Sequence, residues 1–280
     1  MFRIETQHGW WLVTHPDHAR LAAAFAREWG NQQFRNPEPR TRVLRAIASH
    51  DDGWREHDAS PSITRDGRPA AFSVEQVGNS LAFQDDRFAF PDMDLAAYLA
   101  LRARTVRHVV GEDAYSALLI AMHTGKLLTR HLDHTSLTSH QLSLLNRFLR
   151  EEDEFQQQLR SIIDEDAYLT AREKQDAVIE ENFRLLQACD HLSQLACIAF
   201  DQPFHLLHPL ALRDGGTTPV QVLPLAPRHF RLTPWTFAEP EMRFEFPARH
   251  VIGRSFSSAE SLAETYNAAP IETLSILLSA

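Results

Sequence analysis

The chain has 280 residues and a formal net charge of −9, with 44% hydrophobic and 23% charged residues. This composition is typical of a globular protein and excludes wholesale disorder. The negative charge argues against nucleic acid or an anionic membrane surface as the main partner. A local basic patch around a phosphate stays open, and we expect a small-molecule partner with no role for nucleic acid or membrane.

No apolar run comes close to the roughly 18 residues of a membrane span, and the first residues lack the pattern of a signal peptide. The two cysteines, Cys189 and Cys197, lie two helical turns apart. That is roughly 12 Å, too far for a disulfide. These features predict a cytoplasmic protein with reduced cysteines in its core.

The first 200 residues favour helices. Residues 2–13 alternate around Gly9 as a β-hairpin does, and Thr14-His15-Pro16-Asp17 then forms a helix-start signature. From residue 53 to residue 91 the chain is polar and broken by Pro and Gly, which is typical of a lid or a binding loop. Apolar periodicity predicts helices over 14–29, 40–51, 94–110, 113–130, 136–164 and 170–200.

After Phe200 the pattern changes, because prolines punctuate short apolar runs such as Val220-Gln221-Val222-Leu223. These runs predict short strands and turns, followed by a helix over 258–268 and a strand over 271–278. We expect an α+β protein that is mainly helical and forms one compact unit over residues 1–280. Its helical core covers 14–200, and the β-rich flanks at 1–13 and 201–280 contribute a small sheet.

Fifteen histidines are present, and their positions on the predicted helices are informative. His18 shares a helix face with Leu21 and Phe25, so it faces the core. The pair His50-Asp51 ends an apolar stripe at the close of the second predicted helix. Histidine is the commonest metal ligand in proteins, so inward-facing histidines indicate a candidate site.

Two further polar residues lie on apolar faces. His123 follows Leu119 by four residues, and Asp190 interrupts the stripe that contains Phe183 and Leu186. A buried carboxylate without a partner costs several kcal/mol, so Asp190 must be paired, protonated or metal-bound, and the same holds for Asp51.

Two imidazoles and two carboxylates that converge from three helices predict a site for a divalent transition metal. The alternative is that each of the four side chains is an ordinary polar residue at a helix contact.

The order of these residues resembles the HD-domain superfamily, which is named for its His-Asp doublet. The matching segments are His18, Ser49-His50-Asp51-Asp52-Gly53-Trp54 and Cys189-Asp190-His191-Leu192-Ser193. Over nearly its full length the chain also resembles a bacterial family of unknown function. The first resemblance implies an HD-domain-like helical core whose metal is held by His18, His50, Asp51 and Asp190.

Most members of that superfamily are metal-dependent phosphohydrolases of nucleotides or other phosphate esters, and a smaller group oxidises small polar substrates at a di-iron centre. The resemblance implies one or two ions of Fe, Mn, Ni or Zn. His123 is the best match for a ligand of a second ion, or it steadies the leaving oxygen. His131, His134 and His140 are weaker candidates in the following segment.

Two catalytic roles follow from the hydrolytic interpretation. Asp52 is a candidate acceptor that fixes the ring of a ligand histidine, or it is a solvated acid at a helix end. Lys126, one of two lysines in the chain, is a candidate contact for an anionic substrate, or it is a surface lysine. The segment 53–91 would then act as the lid that selects the substrate.

Three functions remain open on the sequence. The first is a metal-dependent hydrolase of a small phosphate ester or nucleotide, and the second is a di-iron oxygenase of a small polar substrate. The third is a metal-stabilised scaffold that binds a ligand without catalysis. The two long predicted helices, 136–164 and 170–200, could also pair between two copies, so a homodimer is an open alternative.

Overall fold

The computed structural model describes residues 1–71, 94–131 and 137–280, and for Val110, Arg130 and His131 it describes the backbone alone. In this part of the chain the helices are α1 His15–Glu28, α2 Arg40–Ser49, α3 Arg55–Asp58, α4 Leu95–Val110, α5 Ala114–Lys126, α6 Ser139–Glu165, α7 Asp176–Cys197 and α8 Ala259–Ala268. A 3₁₀ turn, Asp52–Trp54, precedes α3, and a π-helical turn, Leu127–His131, follows α5.

Several helices begin at side chains that cap them. The Thr14 hydroxyl accepts the N–H of Asp17 at 3.2 Å at the start of α1. The Asp113 carboxylate accepts two N–H groups at the start of α5, and Thr138 forms a reciprocal capping box with Gln141 at the start of α6. Each cap satisfies N–H groups that have no partner inside the helix, which fixes where the helix begins.

The strands are β1 Phe2–Glu5, β2 Gly9–Val13, β3 Phe204–His205, β4 Leu210–Ala211, β5 Thr217–Thr218, β6 Gln221–Ala226, β7 His229–Thr233, β8 Glu241–Ile252 and β9 Ile271–Ser279. Seven of them form one mixed sheet in the order β1-β2-β8-β9-β7-β6-β3. The pair β7–β9 is parallel, and the other neighbours in this sheet are antiparallel.

The expected fold class, a mainly helical HD-domain-like core with a small sheet, is therefore wrong. The structure is 48% helical and 21% strand, and its main sheet has seven strands. Prolines caused the error, because Pro224 and Pro247 lie inside β6 and β8 and not at turns between shorter strands. Strand β8 spans 12 residues and pairs with β2 on one side and β9 on the other.

The helices that surround the candidate site pack on this sheet. Helix α1 contacts β8, where the rings of Phe25 and Phe244 meet edge to face at 4.8 Å between centroids. Along α1, Phe2 of β1 lies against the ring of His18 at 4.5 Å between centroids. Packing on the sheet thus positions α1, and α1 in turn packs on α2 and α7. Within the described ranges, no helix is long and apolar enough to cross a membrane.

Candidate metal centre

Five predicted ligands meet in one buried place. His18 comes from α1, the doublet His50-Asp51 follows the last turn of α2, His123 comes from α5 and Asp190 from α7. Each of these residues is at most 4% exposed. The helix faces that the sequence predicted to be inward are therefore the faces that carry these side chains into the core.

The donor atoms are close to one another. Nε2 of His18 lies 3.0 Å from Oδ2 of Asp51, and Nε2 of His50 lies 3.1 Å from Oδ1 of Asp190. Nε2 of His50 is also 3.8 Å from Oδ2 of Asp51, and Nε2 of His123 is 3.7 Å from Oδ2 of Asp190. Ligands at about 2.0–2.2 Å from one ion stand roughly 3–4 Å apart, so these neighbouring pairs have the spacing of ligands of a common ion.

The outer nitrogens of two rings are held by oxygen acceptors. Nδ1 of His50 donates to the carbonyl of Ile47 at 2.7 Å, and Nδ1 of His18 lies 3.0 Å from Oγ of Ser193. The Ser193 hydroxyl donates its own proton to the carbonyl of Asp190 at 2.8 Å, so it accepts from His18. Such contacts fix the tautomer of a ligand histidine. In the neutral rings, both Nε2 atoms then carry a lone pair and face a carboxylate oxygen.

The charges of the cluster are set by its buried neighbours. Burial lowers the pKa of His50, but the carboxylates of Asp51 and Asp190 outweigh it and raise the pKa to about 9. Burial raises the pKa of Asp51, but the Arg102 guanidinium and His50 hold this pKa well below its usual range. Burial also raises the pKa of Asp190, and His50 lowers this pKa below its usual range. Both carboxylates are therefore ionised, and without an ion His50 carries a proton between them.

His123 completes the cluster as a neutral ring. Burial lowers its pKa to about 3, which the Asp190 carboxylate offsets only in part. Its ring is nearly perpendicular to that of His50, with centroids 5.3 Å apart. Among the described residues, Nδ1 of His123 has no hydrogen-bond partner. Two overlapping groups could hold an ion, His18/His50/Asp51 and His50/His123/Asp190, with donor atoms within 4.8 Å in each group.

The sequence analysis missed Arg102, which lies beside this cluster. Its NH1 donates to Oδ1 of Asp51 at 2.7 Å, and its Nε donates to the hydroxyl of Tyr98 at 3.1 Å. Arg102 is only 7% exposed because it shares the inward face of α4 with Leu99 and Val106. A charge on an apolar face was the signal that revealed Asp190, and the same signal was available for Arg102.

The two predicted catalytic residues lie outside the cluster. Asp52 pairs with Arg55 at 2.8 Å at the surface, whereas Ser193 and the Ile47 carbonyl hold the rings that Asp52 was expected to fix. The structure therefore favours the solvated helix-end role for Asp52. Lys126 is half-buried at the last residue of α5, three residues after His123, and its contact with an anionic substrate stays a prediction.

The weaker candidates and the predicted lid lie partly outside the described residues. His134 and residues 72–91 of the predicted lid lie outside the described residues, as does the side chain of His131. His140 is exposed at the start of α6. The predicted loop begins instead with the 3₁₀ turn and α3, where the Trp54 ring stacks on His15 at 4.2 Å between centroids.

These features define the class of protein, an α+β chain with a buried histidine–aspartate cluster that could hold a divalent cation. A model of the family described as "Protein of unknown function (DUF3891)" matches residues 1–252, so the chain belongs to that family. No curated protein and no solved structure gives a significant match to the chain. The resemblance to the HD-domain superfamily stays a prediction from the sequence.

Proposed function

We propose that this protein is a metal-dependent hydrolase that acts on a small phosphate ester or nucleotide. One observation carries the proposal: His18 and His50 each have Nδ1 tied to an oxygen acceptor, while Nε2 faces an ionised carboxylate. With Nδ1 of His50 donating to the Ile47 carbonyl, Nε2 turns a lone pair toward the carboxylate of Asp190 unless a proton or a metal ion lies between them. The donors are two imidazoles and two carboxylates, which suit Fe, Mn, Ni or Zn.

The residues of the centre would have separate roles. His18, His50, Asp51 and Asp190 would hold the ion, with His123 as a further neutral donor. When bound, a divalent ion supplies a Lewis acid that lowers the pKa of a water molecule and neutralises charge on a phosphoryl oxygen. Gln194 donates to both carboxylate oxygens of Asp190, at 3.0 and 3.1 Å, and so orients that side chain.

The charge of the centre favours an anionic substrate. Asp51 and Asp190 contribute two negative charges and Arg102 one positive charge, and these three residues are buried. A divalent ion reverses the sign of this sum and leaves one positive charge in a medium of low dielectric constant. A phosphate ester brings negative oxygens that balance it, whereas a neutral substrate does not.

The first experiment measures metal content after purification without chelator. We expect stoichiometric Fe, Mn, Ni or Zn in the wild type by inductively coupled plasma mass spectrometry, and less than a tenth of that in His50→Ala and Asp51→Ala. Exposed residues of the same types, His140→Ala and Asp214→Ala, serve as matched controls and should keep full metal content. Unchanged metal in His50→Ala would contradict the proposed centre.

The second experiment separates the three functions. The metal-loaded protein is assayed for phosphate release from p-nitrophenyl phosphate and from nucleoside monophosphates, with the Asp190→Asn variant as a negative control. Phosphate release that requires the ion and Asp190 supports the hydrolase. A spectrum that changes with O₂ in a protein with two irons supports the oxygenase, and bound metal with neither reaction supports the scaffold.

A further inference from the structure

The two candidate metal groups overlap in a way that limits how many ions they hold. Both groups contain His50. An imidazole binds a metal through one lone pair on each nitrogen, and Nδ1 of His50 already donates a proton to the Ile47 carbonyl. Only Nε2 is left, so His50 can serve one ion. The two groups therefore cannot each hold an ion with His50 as a ligand of both.

The number of oxygens that Asp51 can offer to metal ions is limited in a similar way. Its Oδ2 faces the imidazoles, at 3.0 Å from Nε2 of His18 and 3.8 Å from Nε2 of His50. Its Oδ1 accepts from NH1 of Arg102 at 2.7 Å. A carboxylate that bridges two ions in the bidentate mode uses one oxygen for each ion, and here a guanidinium holds the second oxygen.

Arg102 is firmly held in this position. Its Nε donates to the Tyr98 hydroxyl at 3.1 Å, and the guanidinium carbon lies 5.3 Å from the centroid of the Tyr98 ring and 5.8 Å from that of Trp54. Arg104, two residues further along the same helix, is 57% exposed and pairs with Glu56. A guanidinium stays charged at any physiological pH, so Arg102 acts as a permanent cation at Asp51.

We propose that this centre takes a single divalent ion, and that the Arg102 guanidinium occupies the place of a second ion at Oδ1 of Asp51. The inference rests on the proposed metal centre and specifies it further. Arg102 would supply the second positive charge that a two-metal hydrolase obtains from its other ion, and Asp51 would hold the metal through Oδ2. A di-iron oxygenase needs two ions, so the inference also favours hydrolysis over oxidation.

The test is a titration of metal-free protein with Mn²⁺, followed by equilibrium dialysis and electron paramagnetic resonance. We expect one Mn²⁺ per chain in the wild type, with the six-line spectrum of an isolated ion. Arg102→Ala removes the cation and frees Oδ1 of Asp51, so we expect it to bind a second, weaker Mn²⁺. Arg102→Lys keeps the charge, and Arg104→Ala alters only the surface, so both should bind one ion.

Each outcome decides something different. Two Mn²⁺ ions per wild-type chain with an exchange-coupled spectrum overturn the inference and leave the metal centre itself standing. A single ion in folded Arg102→Ala overturns the role given to Arg102. Absence of Mn²⁺, Fe²⁺, Ni²⁺ and Zn²⁺ binding by the wild type overturns the proposed function, and this inference with it. Should Arg102→Ala fail to fold, the wild-type stoichiometry and Arg102→Lys still test the single-ion centre.

Discussion

Nε2 of His50 lies 3.1 Å from Oδ1 of Asp190 across 140 positions of the sequence, while Nδ1 of the same ring is bound to a backbone carbonyl. This contact joins the end of α2 to the middle of α7. Without a metal it needs a proton on Nε2, because two lone pairs would otherwise face each other. The proton and a metal ion therefore compete for the same nitrogen.

This competition predicts that metal binding releases a proton. The pKa of His50 is raised to about 9 in the absence of metal, so at pH 7 the ring is protonated and must lose that proton when the ion binds. Between pH 7 and pH 8 we expect the Kd for Mn²⁺ to fall about tenfold, since each pH unit below the pKa changes the neutral fraction tenfold. Calorimetry in buffers of different ionisation enthalpy should give about one proton per ion; no released proton would contradict this protonation state.

A second prediction concerns the serine that holds His18. Ser193→Ala removes the acceptor that lies 3.0 Å from Nδ1 of His18 and leaves the ligands themselves unchanged. Loss of such an outer contact weakens metal binding by about 10–100-fold. Competition against a chromogenic Zn²⁺ chelator measures the change. Ser161→Ala, which removes an exposed hydroxyl bonded to the Gln157 carbonyl, is the matched control and should leave the affinity as in the wild type.

A third prediction concerns Gly53, which follows the His-Asp-Asp segment. A Cβ there would collide with Oγ1 of Thr105 and lie 2.7 Å from the carbonyl oxygen of Leu101, so backbone as well as side chain stands in the way. We expect Gly53→Ala to push α4 away and to lower the free energy of unfolding by about 1–3 kcal/mol. Gly111→Ala, where a Cβ meets nothing within 4 Å of the described atoms, is the control.

Chemical denaturation of both variants measures the change in the free energy of unfolding. Their metal affinity is measured as well, because α4 carries Arg102. Equal stability of Gly53→Ala and Gly111→Ala would show that the turn and α4 are not tightly fitted.

A fourth prediction is a pH dependence away from the centre. Glu152 on α6 is 8% exposed, and its Oε2 has no hydrogen-bond partner in the described part of the chain. Burial raises its pKa to about 7, although Arg107 pulls it down. The folded state therefore favours the protonated form. The stability that this acid contributes is fully present below its unfolded pKa, near 4.5, and is lost as pH rises through about 7.

Glu152→Gln removes the titration and keeps the shape. We expect the variant to melt a few degrees above the wild type at pH 8, with the difference shrinking toward pH 5. Thermal melts across this range give the comparison. Glu151→Gln, at a side chain that is 65% exposed, controls for the charge change and should show no such trend. A constant offset for Glu152→Gln at every pH would contradict the raised pKa.

The candidate ligands could be found from the sequence because helix periodicity is a local property. His18, Asp190 and His123 each interrupt an apolar stripe, and the stripe alone places them inward. Arg102 obeys the same rule, although arginine is not a metal ligand and so does not mark a metal site by its residue type. Ser193 was recognisable as an inward residue, whereas its contact with His18 depends on how α1 and α7 cross, which no local pattern specifies.

The size of the sheet could not be predicted in the same way. Strand β9 pairs with β8 and β7 through contacts between segments far apart in the chain. Strand preference depends on such neighbours more than on the segment itself. Prolines added to the difficulty, since Pro247 sits within a twelve-residue strand that the sequence divides into shorter pieces.

The position of β9 has a consequence for how this sheet is made. The family match ends at residue 252, the last residue of β8, whereas β9 begins at Ile271 and lies between β8 and β7. Without β9 the strand order leaves β8 and β7 as unpaired edges of two separate groups, β1-β2-β8 and β7-β6-β3. Unpaired edges invite association with other chains. A fragment cut at the family boundary would keep all five candidate ligands and lose the strand that joins the two halves.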